Sequence, residues 1–288
     1  MNKITGQEFE GERPLYASRD LRLEDVVIHE GESALKESAG VEALRCRFEG
    51  RYPFWCCRGA SIEDCFFTED SRAPVWYSSD VRMKGCEVYA PKILRELDGV
   101  RLEGCLFPKA VETLWDCRGV DVRDCTFEGA DYLFSRCRDV KISGLHLKGK
   151  YTFQYVRNVE IRNSVLDTKD AFWESDDVTV YDSVVRGEYL AWYSRNLRLV
   201  RCRIAGTQPL CYASGLVLED CTFEPDADLA FEYSSVNATL LSPVTSVKNP
   251  LTGRIRALSF GEIILDENLR APGDCVIETL LPHHVSQK

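Results

Sequence analysis

Asp98-Gly99-Val100-Arg101-Leu102-Glu103-Gly104-Cys105-Leu106-Phe107 is followed twenty residues later by Arg118-Gly119-Val120-Asp121-Val122-Arg123-Asp124-Cys125-Thr126-Phe127. It returns once more as Arg138-Asp139-Val140-Lys141-Ile142-Ser143-Gly144-Leu145-His146-Leu147. Apolar residues stand at the third and fifth places of each copy, a spacing that puts both side chains on one face of a strand. Two more follow at the eighth and tenth places, the signature of a second short strand with the same inward face. Asp, Asn or Gly stands before each strand, where a corner needs a left-handed backbone.

The register extends in both directions. Taking Val100 as position zero, the equivalents are Leu21, Val41, Ala60, Val81, Val120, Val140, Val159, Val178, Leu197, Leu216 and Val236, spaced 19 to 21 residues apart. Every residue two places on is apolar, from Leu23 to Ala238. Five places on runs a ladder of Val26, Cys46, Cys65, Cys86, Cys105, Cys125, Leu145, Ser164, Ser183, Cys202, Cys221 and Leu241. Asp, Asn or Gly precedes position zero in eleven of the twelve coils, Ser235 being the exception. Six places before position zero, Leu15, Leu35, Phe54, Val75, Leu94, Leu114, Phe134, Phe153, Phe172, Ala191, Leu210 and Ala230 read as a third strand.

A coil of this kind cannot bury its own apolar face and must stack on its neighbours. The expected fold is all-β: a single-stranded, right-handed parallel β-helix of about twelve coils. The rival is a leucine-rich repeat, which Val-x-Leu-x-x-Cys-x-Phe resembles. It is disfavoured because the rest of each coil does not read as a helical turn. The expected division is an N-terminal cap over residues 1–12, the β-helix over 13–243, and C-terminal capping strands with a frayed tail over 244–288.

Several blocks carry a family resemblance. They are Gly31-Glu32-Ser33-Ala34-Leu35-Lys36-Glu37-Ser38, Arg51-Tyr52-Pro53-Phe54-Trp55, Glu112-Thr113-Leu114-Trp115, Lys169-Asp170-Ala171-Phe172-Trp173, Gly187-Glu188-Tyr189-Leu190, Ala230-Phe231-Glu232-Tyr233 and Ser246-Val247-Lys248-Asn249-Pro250. Through them the chain resembles, over nearly its whole length, a bacterial family of uncharacterised parallel β-helix proteins, a domain of unknown function. The resemblance implies the fold and supplies no activity. Members of that family are sometimes labelled hydrogenase, which the chemistry opposes. Iron–sulfur or nickel ligation needs clustered thiolates, whereas most of the 13 cysteines recur once per coil, as core residues do.

Composition narrows the function. The formal charge is −10 and the isoelectric point about 5.1, so the overall field repels nucleic acid and anionic membranes. No long apolar run suggests a membrane span and the opening residues lack a signal-peptide pattern, so a cytoplasmic protein is expected. Four histidines, of which only His283 and His284 adjoin, give no metal site, and no phosphate-loop motif implies a cofactor.

One column differs from both core and ordinary surface. Five places before position zero stand Tyr16, Lys36, Trp55, Trp76, Arg95, Trp115, Ser135, Gln154, Trp173, Trp192, Cys211 and Phe231, which hold all five tryptophans. The next column contains Tyr77, Tyr155, Tyr193, Tyr212 and Glu232 among charged residues. Indoles interleaved with polar groups suit sugar rings, whose faces stack and whose hydroxyls bond. The expected ligand is therefore an oligosaccharide. Tyr16, Trp55, Trp76, Tyr77, Arg95, Trp115, Trp173, Trp192, Tyr193, Tyr212, Phe231 and Glu232 are the binding candidates. A non-catalytic scaffold that meets another protein is the alternative. The sequence does not decide whether the tryptophans face solvent or pack beneath loops, and it leaves the oligomeric state open.

Catalysis has two sets of candidates, for a carbohydrate-active hydrolase, lyase or isomerase. Glu96 and Asp116 share a column in successive coils, a spacing of about 5 Å that suits an acid and base pair. Lys36, Glu37, Lys169, Asp170 and Glu188 supply further acids and bases. An ion-pair ladder through Arg95 and Arg136 explains Glu96 and Asp116 without any catalysis.

Overall fold

The computed structural model describes residues 1–267 and 273–280. The fold is a parallel β-solenoid of about 14 turns of ~19 residues. No helix occurs among the described residues, which removes the leucine-rich alternative. Accordingly, none of them forms a helix long and apolar enough to cross a membrane. The chain divides into two compact units, Met1–Thr152 and Phe153–Lys288.

In the first unit, strands such as Ser79–Lys84, Asp98–Glu103, Arg118–Arg123 and Arg138–Ser143 stack in parallel to make one sheet. Val81 pairs with Val100, Val100 with Val120, and Val120 with Val140, so position zero lies over position zero. Shorter strands, among them Leu106–Phe107 and Thr126–Asp131, form the second sheet. Its inward phenylalanines stack, with the Phe107 and Phe127 rings 4.4 Å apart and nearly parallel.

Two end segments join the repeat. Asn2–Thr5 and Glu8–Glu12 pair with Arg19–Glu24 and Val27–Glu32 as one more coil. They lie in residues 1–12, the segment expected as the N-terminal cap. In the second unit, Arg157–Arg162, Asp176–Tyr181, Arg195–Val200 and Leu216–Phe223 continue the same pattern. The region expected as C-terminal capping strands holds the long parallel strands Ser235–Lys248, Thr252–Ile264 and Asp274–Thr279. The tail at 281–288, expected to fray, lies outside the described residues.

The corners obey the residue types. All eleven Asp, Asn and Gly residues before position zero have φ between 48° and 81°. Ser235 is not among the left-handed residues, because its corner has lost one residue. The strands keep Leu216 opposite Val236, a step of 20, while Ala213 N–H bonds Ser234 Oγ, a step of 21. A bulge in the same strand turns Leu240 inward opposite Cys221, and Leu241, expected in the ladder, is exposed.

The cysteine ladder is polar as well as apolar. Cys105 N–H reaches Cys125 Sγ at 3.4 Å, and Ser164 N–H reaches Ser183 Oγ at 3.0 Å. A second buried ladder, three places before position zero, was not singled out in the sequence. Cys57, Ser78, Cys117 and Cys137 donate there to carbonyls of the preceding coil at 2.9–3.1 Å, and Ser234, two places before Val236 because its corner is short, does the same at 2.7 Å. Small side chains with a donor satisfy backbone groups that the corners turn away from the sheets. All thirteen cysteines are free and eleven are buried. Among the described residues no group of His, Cys, Asp and Glu is placed to hold a metal ion.

The third flank is mostly turn. Among the described residues only Phe54–Trp55 and Val75–Trp76 pair as strands there, with isolated bridges such as those from Trp76 to Arg95 and Arg95 to Trp115. Left-handed residues recur along it, as at Glu112, Leu114 and Asp116. Their N–H groups still bond between coils, as Glu96 N–H does to Trp115 O at 2.9 Å.

Candidate functional site

Three neighbouring columns of the turn flank point in three directions. In coil after coil the residue six before position zero is buried, and the residue four before it is exposed. The tryptophan column lies between them, so each indole is half-buried. Neither full exposure nor concealment beneath loops describes these side chains.

In the first unit the column is a continuous stack. Trp55 and Trp76 lie 5.4 Å apart at 29°. The Arg95 guanidinium sits 4.9 Å from the ring centres of both Trp76 and Trp115. It also donates to Glu112 at 3.2 Å, and Lys92 holds the same carboxylate. Trp76 Nε1–H is spent on Lys92 O at 2.6 Å. Both faces of Trp76 are therefore occupied, one by Trp55 and one by Arg95. Tyr77 stands nearly perpendicular to Trp76 at 88° and is 44% exposed. Tyr16, at the start of the column, donates to Glu37 at 2.5 Å, and that bond holds its phenol above the ordinary range.

The second unit has a shorter stack with more exposed phenol. Trp173 and Trp192 are 5.9 Å apart at 28°, and Trp192 Nε1–H bonds Gln208 O. Tyr193 stacks on Tyr212 at 5.0 Å and leans on Trp173 at 5.4 Å. Tyr155 and Tyr193 are 46% and 47% exposed. Glu174 lies in the coil between them, and Trp173 Nε1–H reaches its carboxylate at 3.4 Å. Tyr155 and Glu174 were not singled out in the sequence, although they share the Tyr193 column.

Two binding candidates are displaced. Phe231 is fully buried against Phe223, and Glu232 is nearly buried with its carboxylate on Lys248 at 2.9 Å. The shortened corner at Ser235 explains both. Tyr212 N–H bonds Glu232 O, so Glu232 takes the tryptophan column and Phe231 moves one column into the core.

The catalytic candidates separate. Glu96 and Asp116 do lie in successive coils, but both side chains are exposed. Asp116 has Arg138 at 3.9 Å, and no wall of protein dries the space between the two acids. Lys36 is half-buried and Glu37 is engaged by Tyr16. Lys169, Asp170 and Glu188 come together: Lys169 Nζ is 2.9 Å from Glu188 and 5.0 Å from the Tyr189 ring centre. Asp170 is 7% exposed. Burial chiefly pushes its carboxyl above the usual range, while Lys169 opposes and Glu188 adds to that rise.

The model of the family described as "Protein of unknown function (DUF3737)" matches residues 2–278. The chain belongs to the DUF3737 family. Comparison of this DUF3737 chain with curated proteins gives no match. Among solved structures it is similar to a tailspike protein of E. coli bacteriophage HK620 in complex with a pentasaccharide. That pair is 10% identical, covers 96% of this chain and 72% of the other, and has a TM-score of 0.37. It is also similar to the catalytic domain of a GH87 alpha-1,3-glucanase, at 9% identity over 96% of this chain and 63% of that one, TM-score 0.33. HetL, a pentapeptide repeat protein of Nostoc sp. strain PCC 7120, matches at 12% identity over 80% and 89%, TM-score 0.27. Likeness this distant carries no argument about ligand or activity.

Proposed function

We propose that this DUF3737 protein recognises a neutral oligosaccharide on the turn flank of its second unit, without catalysing its breakdown. One observation carries the reading: Tyr155 and Tyr193 are each almost half exposed, two coils apart, with the Glu174 carboxylate between them. Two coil steps amount to about 10 Å. An extended glycan laid along the flank meets a phenol, a carboxylate and a second phenol in turn. Phenol faces receive the apolar faces of sugar rings, and the carboxylate accepts from hydroxyls. The indoles act as backing, because their own faces are consumed by coil-to-coil stacking. The net charge of −10 favours a neutral glycan over a polyanionic one. An open flank gives no dry cavity in which to split a pair of carboxyl pKa values.

The test is a titration with neutral oligosaccharides, read by tryptophan fluorescence from Trp173 and Trp192 and by calorimetry. Saturable binding that is lost in Tyr155→Ala and Tyr193→Ala supports the reading. No saturable response to any neutral oligosaccharide overturns it in favour of a protein-binding scaffold, and so does binding that survives both substitutions.

A further inference from the structure

A groove of about 360 Å³ runs over the outer face of the first sheet in the first unit. It is lined by four cationic side chains, Arg82, Lys84, Arg101 and Arg123, and three carboxylates, Glu63, Glu103 and Asp121. Two of those carboxylates are already engaged. Asp121 receives Arg123 through two hydrogen bonds at 2.9 and 3.1 Å, and Glu103 lies 3.8 Å from Lys84. Arg82 and Arg101 differ from these. They are opposite one another on paired parallel strands, and both side chains are exposed. Neither has an ion pair or side-chain hydrogen bond among the described residues.

Like charges placed directly opposite one another in a sheet repel, and their backbones are about 4.8 Å apart. Elsewhere on this protein arginine finds a carboxylate one coil away, as Arg198 does with Glu219 at 2.8 Å and Arg201 with Asp182. The nearest equivalent for Arg101 is Asp121, its partner in register, but Arg123 claims that acid. For Arg82 the in-register neighbour on the other side is Ser61, which offers a hydroxyl and no charge.

We infer that the paired guanidinium groups of Arg82 and Arg101 bind a phosphoryl dianion, with the Ser61 hydroxyl as an added donor. Two guanidiniums side by side present a wide fork of N–H donors, which matches the several oxygens of a phosphate. A dianion neutralises both cations at once, whereas a single carboxylate leaves one uncompensated. Glu63, which also lines the groove, disfavours a long polyanion such as nucleic acid over one compact group. Inorganic phosphate and the phosphomonoester of a small metabolite share this chemistry. The groove has volume beyond one phosphate, so a phosphorylated sugar is expected to bind more tightly than the free ion. The inference concerns a different face from the proposed glycan flank and does not depend on it.

The experiment titrates the full chain with inorganic phosphate, with glucose 6-phosphate and with glucose, read by calorimetry and by backbone NMR shifts. Saturable binding of the phosphates and not of glucose is expected, with shifts centred on residues 61, 82 and 101. Arg82→Gln and Arg101→Gln should each weaken binding about tenfold or more, the scale of one charge-assisted hydrogen-bonding group. Arg82→Lys should weaken it too, since it keeps the charge and loses the fork. Arg198→Gln, on a paired arginine of the second unit, should leave binding unchanged. Because both arginines are exposed, the variants keep their circular dichroism. Affinity for glucose 6-phosphate should fall from pH 7 to pH 5, as the phosphomonoester, whose second pKa is about 6, takes up a proton. Tighter binding of the ester than of the free ion identifies a phosphorylated metabolite as the ligand, and the reverse identifies phosphate itself. No saturable binding of either, affinity unchanged in the Arg82→Gln/Arg101→Gln double variant, or affinity indifferent to pH would overturn the assignment.

Discussion

Replacing Ser183 tests whether the buried ladder is held by hydrogen bonds or only by packing. Its hydroxyl is 3% exposed, accepts Ser164 N–H at 3.0 Å and donates to Tyr181 O at 2.6 Å. Tyr181 O also accepts from Asn163 N–H at 3.2 Å, so it keeps a partner when the hydroxyl is removed. Ser164 N–H loses this acceptor, at a cost of about 1–3 kcal/mol for a buried amide. Ser183→Ala should therefore destabilise by about 2 kcal/mol. Ser183→Val should recover less than about 1 kcal/mol of that through its added apolar surface. Ser183→Cys should lie much closer to the parent, because sulfur serves at the same place in the Cys105–Cys125 and Cys202–Cys221 steps at 3.4 Å. The assay is urea unfolding followed by far-ultraviolet circular dichroism, with hydrogen exchange of the Ser164 amide as a local reading. If packing alone mattered, a buried hydroxyl would be a defect and both apolar variants would gain stability. Parent-like or greater stability of Ser183→Val, or Cys as damaging as Ala, would refute the reasoning.

Other consequences are open to direct measurement. Glu49 and, secondarily, Glu8 hold His29 at 3.0 and 3.1 Å and raise its pKa above the ordinary 6.5. The stabilisation from that cluster is fully present below pH 6.5 and is lost as pH rises through the higher folded value. NMR titration of the His29 ring should show the raised midpoint, and Glu49→Gln should lower it. Gly31 has φ of 150°, and a Cβ there would stand 1.9 Å from Gly11 O. Gly31→Ala should consequently cost more than about 2 kcal/mol in thermal or urea unfolding. Burial pushes the Cys57 and Cys211 thiols up to about 12, whereas Cys56 is exposed. A thiol reagent at pH 8 should modify Cys56 first, and Cys56→Ser should remove the fast phase while the buried thiols stay unreactive.

The fold was legible because every coil meets nearly the same surroundings, so each demand is written many times over. Position zero, the residue two places on and the left-handed corner are all set by stacking, and a column of twelve residues exposes the rule. Departures occur where the chain breaks its own count. Nothing in the letters around Ser235 marks a corner that is one residue short, apart from the Ser that stands where Asp, Asn or Gly is usual. That single loss carries Phe231 into the core and Glu232 toward it.

The flank was legible only in part, for a different physical reason. A column states which way a Cα–Cβ bond points, but not the plane in which a ring then settles. That plane depends on what the neighbouring coils contribute. Trp76 has Trp55 on one side and Arg95 on the other, so its faces are closed by a stack and a cation. Tyr155 is separated from Tyr193 by Glu174, a residue too narrow to cover a ring, and both phenols stay almost half exposed even though Tyr193 stacks on Tyr212. Exposed aromatic face is therefore a property of three successive coils read together. By that criterion the column beside the tryptophans, where Glu174 stands between Tyr155 and Tyr193, is better suited to a ligand than the tryptophan column itself. Glu174→Trp tests this. A third ring beside Tyr155 and Tyr193 should close their faces by stacking, strengthen the fold and abolish glycan binding. Undiminished binding in that variant would show that the ligand does not use those faces.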